Sequence, residues 1–254
     1  MSDSENDLDL FQEPEDFYEK ERPATTVTHQ LTDGTNLVLH LVGHNPLWGH
    51  FLWNAGKVIS NHIEQNAESL VRDKTVLELG AGAGLPSFTC SLRGAKSVVV
   101  TDYPDAELIE NLRLNIESVK SVKADINVHA CGLLWGADVS EVKSFLTTGD
   151  GFDILILADL LFNHSEHGKL IKTIQSTLRT SLEAKALVFF TPYRPWLLEN
   201  DLAFFDLARE NGFLVTKILE HVMEKVMFEN DPGDELLRRT VFGYEVTWAG
   251  PRSS

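Results

Sequence analysis

Cysteine is scarce: Cys90 and Cys131 are the only two in 254 residues. Two thiols in or beside expected regular elements give no disulfide framework, so a stapled secreted scaffold is excluded and reduced thiols are the simple reading. Long apolar runs are missing too, none approaching the about 20 residues that cross a bilayer as a helix. The chain opens polar and acidic where a secretory leader is basic and then apolar, so the expectation is a soluble, cytoplasmic protein with no membrane partner. Bases are few: 22 Lys and Arg face 38 Asp and Glu, for a net charge of −16. No cluster of Lys and Arg is available to neutralise phosphates, which argues against nucleic acid as a substrate. Neither H-E-x-x-H nor G-x-S-x-G occurs, so zinc peptidase and serine hydrolase chemistry have no motif to stand on.

The acids are unevenly placed. Nine of them fall within residues 1–21, where Lys20 is the sole base. Such a segment buries too little apolar surface to order itself, and residues 1–22 are expected to form an acidic, disordered tail ahead of one domain at 23–254. With 43% hydrophobic residues, that domain can bury a substantial core.

The run Thr75-Val-Leu-Glu-Leu-Gly-Ala-Gly-Ala-Gly84 reads as a strand entering a glycine turn. Residues 75–79 are nearly uninterrupted in apolar character, as in a strand buried on both faces of a parallel sheet. Gly80, Gly82 and Gly84 let the backbone turn tightly and approach a ligand closely. Asp102 closes the next apolar stretch about 20 residues on, the spacing at which an acid accepts hydrogen bonds from ribose hydroxyls. Leu85 stands where a dinucleotide fingerprint has its third glycine, so that pattern is broken. S-adenosylmethionine has no phosphate to cradle, and Glu78, just before the turn, suits the ammonium of its amino-acid tail.

Further strands are expected at 98–101, 126–130, 154–158, 187–191, 213–219 and 241–247, with helices between most of them, including 108–119 and 197–211. Strands alternating with helices predict an α/β, doubly wound, mostly parallel sheet with the ligand at the carboxyl ends of its strands. The last two strands are joined through Pro232-Gly233 without room for a clean crossover helix, which points to an antiparallel pair. Residues 25–31 and 36–42 flank Thr-Asp-Gly-Thr, a hairpin signal, and an aromatic-rich stretch at 45–53 leads into a helix.

This order of elements is similar to the seven-strand, Rossmann-like class of S-adenosylmethionine-dependent methyltransferases. Within that class the run 76–86, Leu52-Trp53, Trp135-Gly136 and Asp159-Leu-Leu-Phe162 resemble the family-sixteen protein lysine methyltransferases. The resemblance implies an N-terminal β-hairpin and helix cap at 23–74 on a catalytic core at 75–254. It implies S-adenosylmethionine as cofactor, lined by Trp53, Gly80, Ala81, Gly82, Asp102, Trp135 and Ala158, to which the residues themselves add Glu78 and Gly84. It further implies methylation of the N-terminal glycine and adjacent lysine of translation elongation factor 1-alpha, through that factor's basic N-terminal segment; a monomer is expected. Small-molecule N-methylation of the nicotinamide kind and a non-catalytic, cofactor-binding scaffold are the alternatives that the fold leaves open.

Asp159 and Phe162 are the candidate catalytic residues. Asp159 ends an apolar strand, where α/β sheets place active sites, and is expected to orient the acceptor amine and stabilise charge developing on its nitrogen. Phe162 stands where the family motif commonly ends in tyrosine; its ring can wall the transfer channel, but the phenol is missing. His164 and His167 flank Glu166 without a metal-site order, and no metal is expected; solvent or substrate-loop contacts are the reading for both. Trp48, Trp196 and Trp248 are read as core.

Overall fold

The computed structural model describes residues 23–147 and 150–250, so the acidic segment 1–22 lies outside the described residues. Strand β1 (Thr25–Gln30) and strand β2 (Asn36–Leu41) form an antiparallel hairpin. Helices α1 (Asn54–Gln65) and α2 (Ala67–Leu70) lead into a repeating strand and helix order: β3 (Thr75–Leu79), α3 (Leu85–Leu92), β4 (Ser97–Asp102), α4 (Ala106–Lys120), β5 (Val128–Gly132), α5 (Ser140–Ser144), β6 (Ile154–Ala158) and α6 (His167–Thr177). Then follow β7 (Lys185–Phe190), α7 (Leu198–Glu210), β8 (Phe213–Val222), the short α8 (Glu235–Arg238) and β9 (Thr240–Trp248).

The main sheet has seven strands in the order β5-β4-β3-β6-β7-β9-β8. The five strands from β5 to β7 are parallel, and β9 runs antiparallel between β7 and β8. The chain starts in the middle at β3, winds out to β5, and returns to lay β6 against the other side of β3. That reversal opens a crevice at the carboxyl ends of β3 and β6, the ligand site of doubly wound sheets. Alternation along the strands feeds two apolar layers. Val76, Ile154 and Ile156 pack with Ile59, Phe88 and Leu112 on one face. Leu77, Leu155 and Leu157 pack with Ile171, Ile174 and Phe204 on the other.

The last two strands are the antiparallel pair that the short connection predicts. Most strands differ from their expected limits by one to three residues at an end, and two of these differences have a local reason. The third core strand begins at Val128 rather than 126, because the Ile126 N–H donates to the Ala124 carbonyl at 3.1 Å in a turn. Strand β7 ends at Phe190 rather than 191, because the Thr191 N–H donates to the Asp159 carboxylate at 2.7 Å.

The hairpin docks on α4 through alternation and one buried amide. Leu37, Leu39 and Leu41 face inward, while Val38 is exposed. Buried Asn115 accepts from the His40 N–H at 2.7 Å and donates to the His40 carbonyl at 2.9 Å and the Ala83 carbonyl at 3.1 Å. A single α4 side chain thus holds both the hairpin and the glycine turn. Among the described residues, no helix is long and apolar enough to cross a membrane.

Candidate active site

A cleft of about 530 Å³ opens at the carboxyl ends of β3, β4 and β6, within the volume range of small-molecule sites. Its lining includes Trp53, Glu78, Gly80, Ala81, Gly82, Asp102, Trp135, Ala158, Asp159 and Phe162. Sequence positions spread over more than one hundred residues therefore meet around one space. Gly84 is not among the lining residues. It precedes α3 at φ 79°, and a Cβ there would meet Phe88 at 2.9 Å and Leu112 at 3.2 Å, so its glycine serves packing behind the turn.

The glycine turn follows from its backbone. Gly80 has φ 58° and Gly82 has φ 55°, left-handed values that favour glycine. A Cβ on Gly80 would meet Leu160 at 2.6 Å, whereas one on Gly82 would meet no atom and would stand in the cleft. Asp102 pins the turn to the end of β4: Oδ2 accepts from the Gly82 N–H and Oδ1 from the Tyr103 N–H, both at 2.7 Å. Burial pushes the Asp102 carboxyl up, and these two amides pull it back.

Glu78 is buried at the end of β3, and its Oε2 accepts from the Ser87 N–H in the first turn of α3 at 2.9 Å. Burial pushes its carboxyl up to about 8 against the pull of Ser87. A cation brought beside it would favour the ionised form. Trp135 arrives from the loop after β5, which is fixed to α6 by the Gly136 N–H donating to Thr173 Oγ1 at 2.8 Å.

Asp159 has φ 55°, a left-handed value that costs a non-glycine residue about 1–3 kcal/mol. Its side chain shows what holds it there. Oδ1 accepts from the Thr191 N–H at 2.7 Å, and Oδ2 accepts from the Ala55 N–H at 2.9 Å. The Tyr193 hydroxyl also donates to Oδ2, at 3.3 Å. Trp53, which precedes α1, makes no side-chain cap, so Asp159 and Tyr193 serve the first amides of that helix from elsewhere in the chain. Burial pushes the Asp159 carboxyl up to about 7, and its hydrogen-bond donors pull the other way. Phe162 is 42% exposed at the rim, and its carbonyl accepts from Arg194 Nη2 at 2.6 Å.

Both histidines have structural partners: His167, the first residue of α6, is buried, while His164 keeps 27% of its side chain exposed, as the solvent-contact reading expects. His164 Nε2 lies 2.7 Å from Asp201, tying the loop after β6 to α7, and His167 Nε2 lies 2.9 Å from the Leu161 carbonyl, tying that loop to the start of α6. Among the described residues, no group of three or more His, Cys, Asp or Glu could hold a metal ion. Of the three tryptophans read as core, only Trp248 is buried, stacked on Phe213. Trp196 is exposed, and Trp48 lines the cleft at φ 64° and 48% exposure. Its position corrects the core reading: Trp53 Nε1 donates to the Trp48 carbonyl and draws that segment to the rim.

Spacing gave no hint of Tyr193, Phe51 or Phe228. Their rings surround Trp53 edge-to-face at 5.2, 5.6 and 5.9 Å. The one available signal is that Thr191-Pro-Tyr-Arg194 follows a strand at its carboxyl end, where α/β sites lie. The cleft's charged lining is four acids, Glu78, Asp102, Asp159 and Glu166, and one base, Lys169. Such a lining suits a cationic ligand.

The lysine methyltransferase family matches residues 32–211, from the hairpin turn to the end of α7. The chain belongs to the lysine methyltransferase family. Two relatives extend that likeness over nearly the whole chain. The protein N-terminal and lysine N-methyltransferase of Aspergillus fumigatus is 50% identical over 243 residues, which is 95% of this chain and 94% of that protein. The enzyme of the same description from Schizosaccharomyces pombe is 44% identical over 253 residues, 96% of this chain and 98% of that one. Among solved structures, Pyrococcus horikoshii TYW2 in complex with MeSAdo shares the fold at a TM-score of 0.52 and 15% identity, over 89% of this chain and 72% of that one.

As a lysine methyltransferase family member, this protein is a methyl-transfer enzyme that takes S-adenosylmethionine as its cofactor. The residues present fit that group. The open side of Gly82 admits close approach to the backbone, the acids Glu78 and Asp102 line the same cleft, and the Trp135 indole lines it with them.

Proposed function

We propose that this methyltransferase modifies the N-terminal amine and the adjacent lysine of translation elongation factor 1-alpha. The observation that carries the reading is Asp159, a buried carboxylate held by three donors on the wall of the acidic cleft. The relatives that support it are described as protein N-terminal and lysine N-methyltransferases. The acceptor is a protein with a basic N-terminal segment rather than a nucleic acid, which a chain of net charge −16 would repel. The reaction is assigned to a monomer in the cytoplasm, where Cys90 and Cys131, both free, stay reduced.

S-adenosylmethionine supplies an electrophilic methyl group on a sulfonium. Trp53, Gly80, Ala81, Gly82 and Ala158 shape its pocket, Glu78 takes its ammonium group, Asp102 its ribose and Trp135 its adenine face, with Gly84 supporting the turn from behind. The acceptor nitrogen must present a free lone pair. An α-amine, with a reference pKa of about 7.7–8.0, is partly neutral at physiological pH, whereas a lysine near about 10.4 is almost wholly protonated. The N-terminal amine is therefore the easier acceptor. Asp159 orients the amine and stabilises the positive charge that grows on it, while Phe162 offers an aromatic face to the same cation.

The test is incubation with labelled S-adenosylmethionine and, separately, elongation factor 1-alpha with a free N-terminus, the same factor with its N-terminus blocked, and nicotinamide, followed by mapping of the label. The expected result is label on the N-terminal residue and neighbouring lysine of the free factor, with the N-terminal site lost on blocking. Label on nicotinamide alone would replace this reading with small-molecule methylation. No label on any of them would leave a cofactor-binding scaffold.

A further inference from the structure

We infer that Tyr193 is a positioning residue of the methyl-transfer site, its hydroxyl holding the Asp159 carboxylate in the orientation that the acceptor amine meets. The inference rests on Asp159 acting upon that amine. An ionised carboxylate has about four lone-pair positions. Oδ2 takes two donors, the Ala55 N–H and the Tyr193 hydroxyl, while Oδ1 takes only the Thr191 N–H. The count leaves Oδ1 as the oxygen with a lone pair to spare for an incoming amine.

The hydroxyl is itself oriented. It accepts from the Asn54 N–H at 3.3 Å and has two places to send its proton, Asp159 Oδ2 and the Met227 sulfur at 3.4 Å. An ionised carboxylate is the stronger acceptor, so the proton turns toward Asp159 whenever that group is charged. The ring beneath is wedged edge-to-face between Trp53 at 5.2 Å and Phe228 at 5.8 Å. Its neighbours in sequence grip the same loop: Thr191 holds the Asp159 side chain, and Arg194 holds the Phe162 carbonyl. One four-residue segment after β7 thus fastens both ends of the Asp159–Phe162 loop.

The groups facing Asp159 decide how it titrates. Helix α1 presents the Ala55 amide, the segment after β7 presents the Thr191 amide and hydroxyl and the Tyr193 phenol, and the connector between β8 and β9 offers Tyr193 the uncharged Met227 thioether. Tyr193 is the titratable member, and burial beside Asp159 pushes it well above its ordinary value, so it stays a neutral donor. Each donor favours the ionised carboxylate, and removing one disfavours it.

Tyr193→Phe keeps the ring and removes the donor. With purified full-length enzyme and acceptor protein, kcat should fall roughly tenfold or more while cofactor affinity by calorimetry holds near wild type, and Tm should drop by only a few degrees as the Asn54 N–H loses its acceptor. The acid limb of the kcat profile should move to higher pH. Wild-type kcat with an unmoved limb would overturn the inference. A parallel fall in cofactor affinity and Tm with the limb unmoved would make the phenol a packing group only. Asp159→Asn separates the two layers of the argument. If it keeps full turnover, the reading of Asp159 fails; if it loses turnover while Tyr193→Phe does not, only the role of Tyr193 fails. Replacing Tyr193 with 3-fluorotyrosine keeps the packing and strengthens the donor, so the limb should move to lower pH. No movement there would also overturn the inference.

Discussion

At the scale of single residues, burial sets the charge state of the site. Glu78 is held up to about 8 from an ordinary 4.5, mainly by desolvation. Between those two values the folded chain keeps a proton that the unfolded chain has released, so stability falls as pH rises through the window and levels off above it. Asp159, pushed up to about 7, contributes with the same sign. Glu78→Gln should therefore raise the Tm of the cofactor-free protein at pH 8 by about 2–4 °C or more, with the gain vanishing toward pH 5. Thermal melts across that range check it. The same substitution should weaken cofactor binding, because the carboxylate proposed to meet the ammonium is gone; calorimetry reads this independently of turnover.

At the scale of elements, Asn115 links parts that are far apart in sequence. Asn115→Ala leaves the half-buried His40 N–H without its acceptor and frees the Ala83 carbonyl in the glycine turn. The expected loss is about 1–3 kcal/mol of stability, with faster amide exchange in β2 as the local signature. Elements were legible in the sequence where their own residues decide them. Strands β3 and β6 read directly because Val76, Leu77, Ile154 and Leu155 must be buried on both faces, and Asp102 was legible because the turn and the next strand fix its distance from Gly82. What could not be read was set by partners remote in sequence. Thr191 leaves the ladder because Asp159 takes its amide, and Tyr193 reaches the site from 34 residues away. Gly84 carried the right residue type for the cofactor turn, yet its side faces Phe88 and Leu112.

At the scale of the whole molecule, a net charge of −16 and an acid-lined cleft create a field that draws in cations. For a basic acceptor segment, added salt should lower kcat/KM while leaving kcat nearly constant, because screening shortens the reach of that field from about 10 Å at 0.1 M to about 3 Å at 1 M. Neutral nicotinamide should show no such dependence. Steady-state kinetics over that salt range distinguish the two. The shared cap of α1 gives the site one more property. Because the Ala55 N–H donates directly to Asp159 Oδ2, the proton resonance of that single amide is a natural indicator dye for the carboxylate. Its shift with pH can be followed by nitrogen-edited NMR, reading the ionisation of the central acid with no acceptor present and no turnover required.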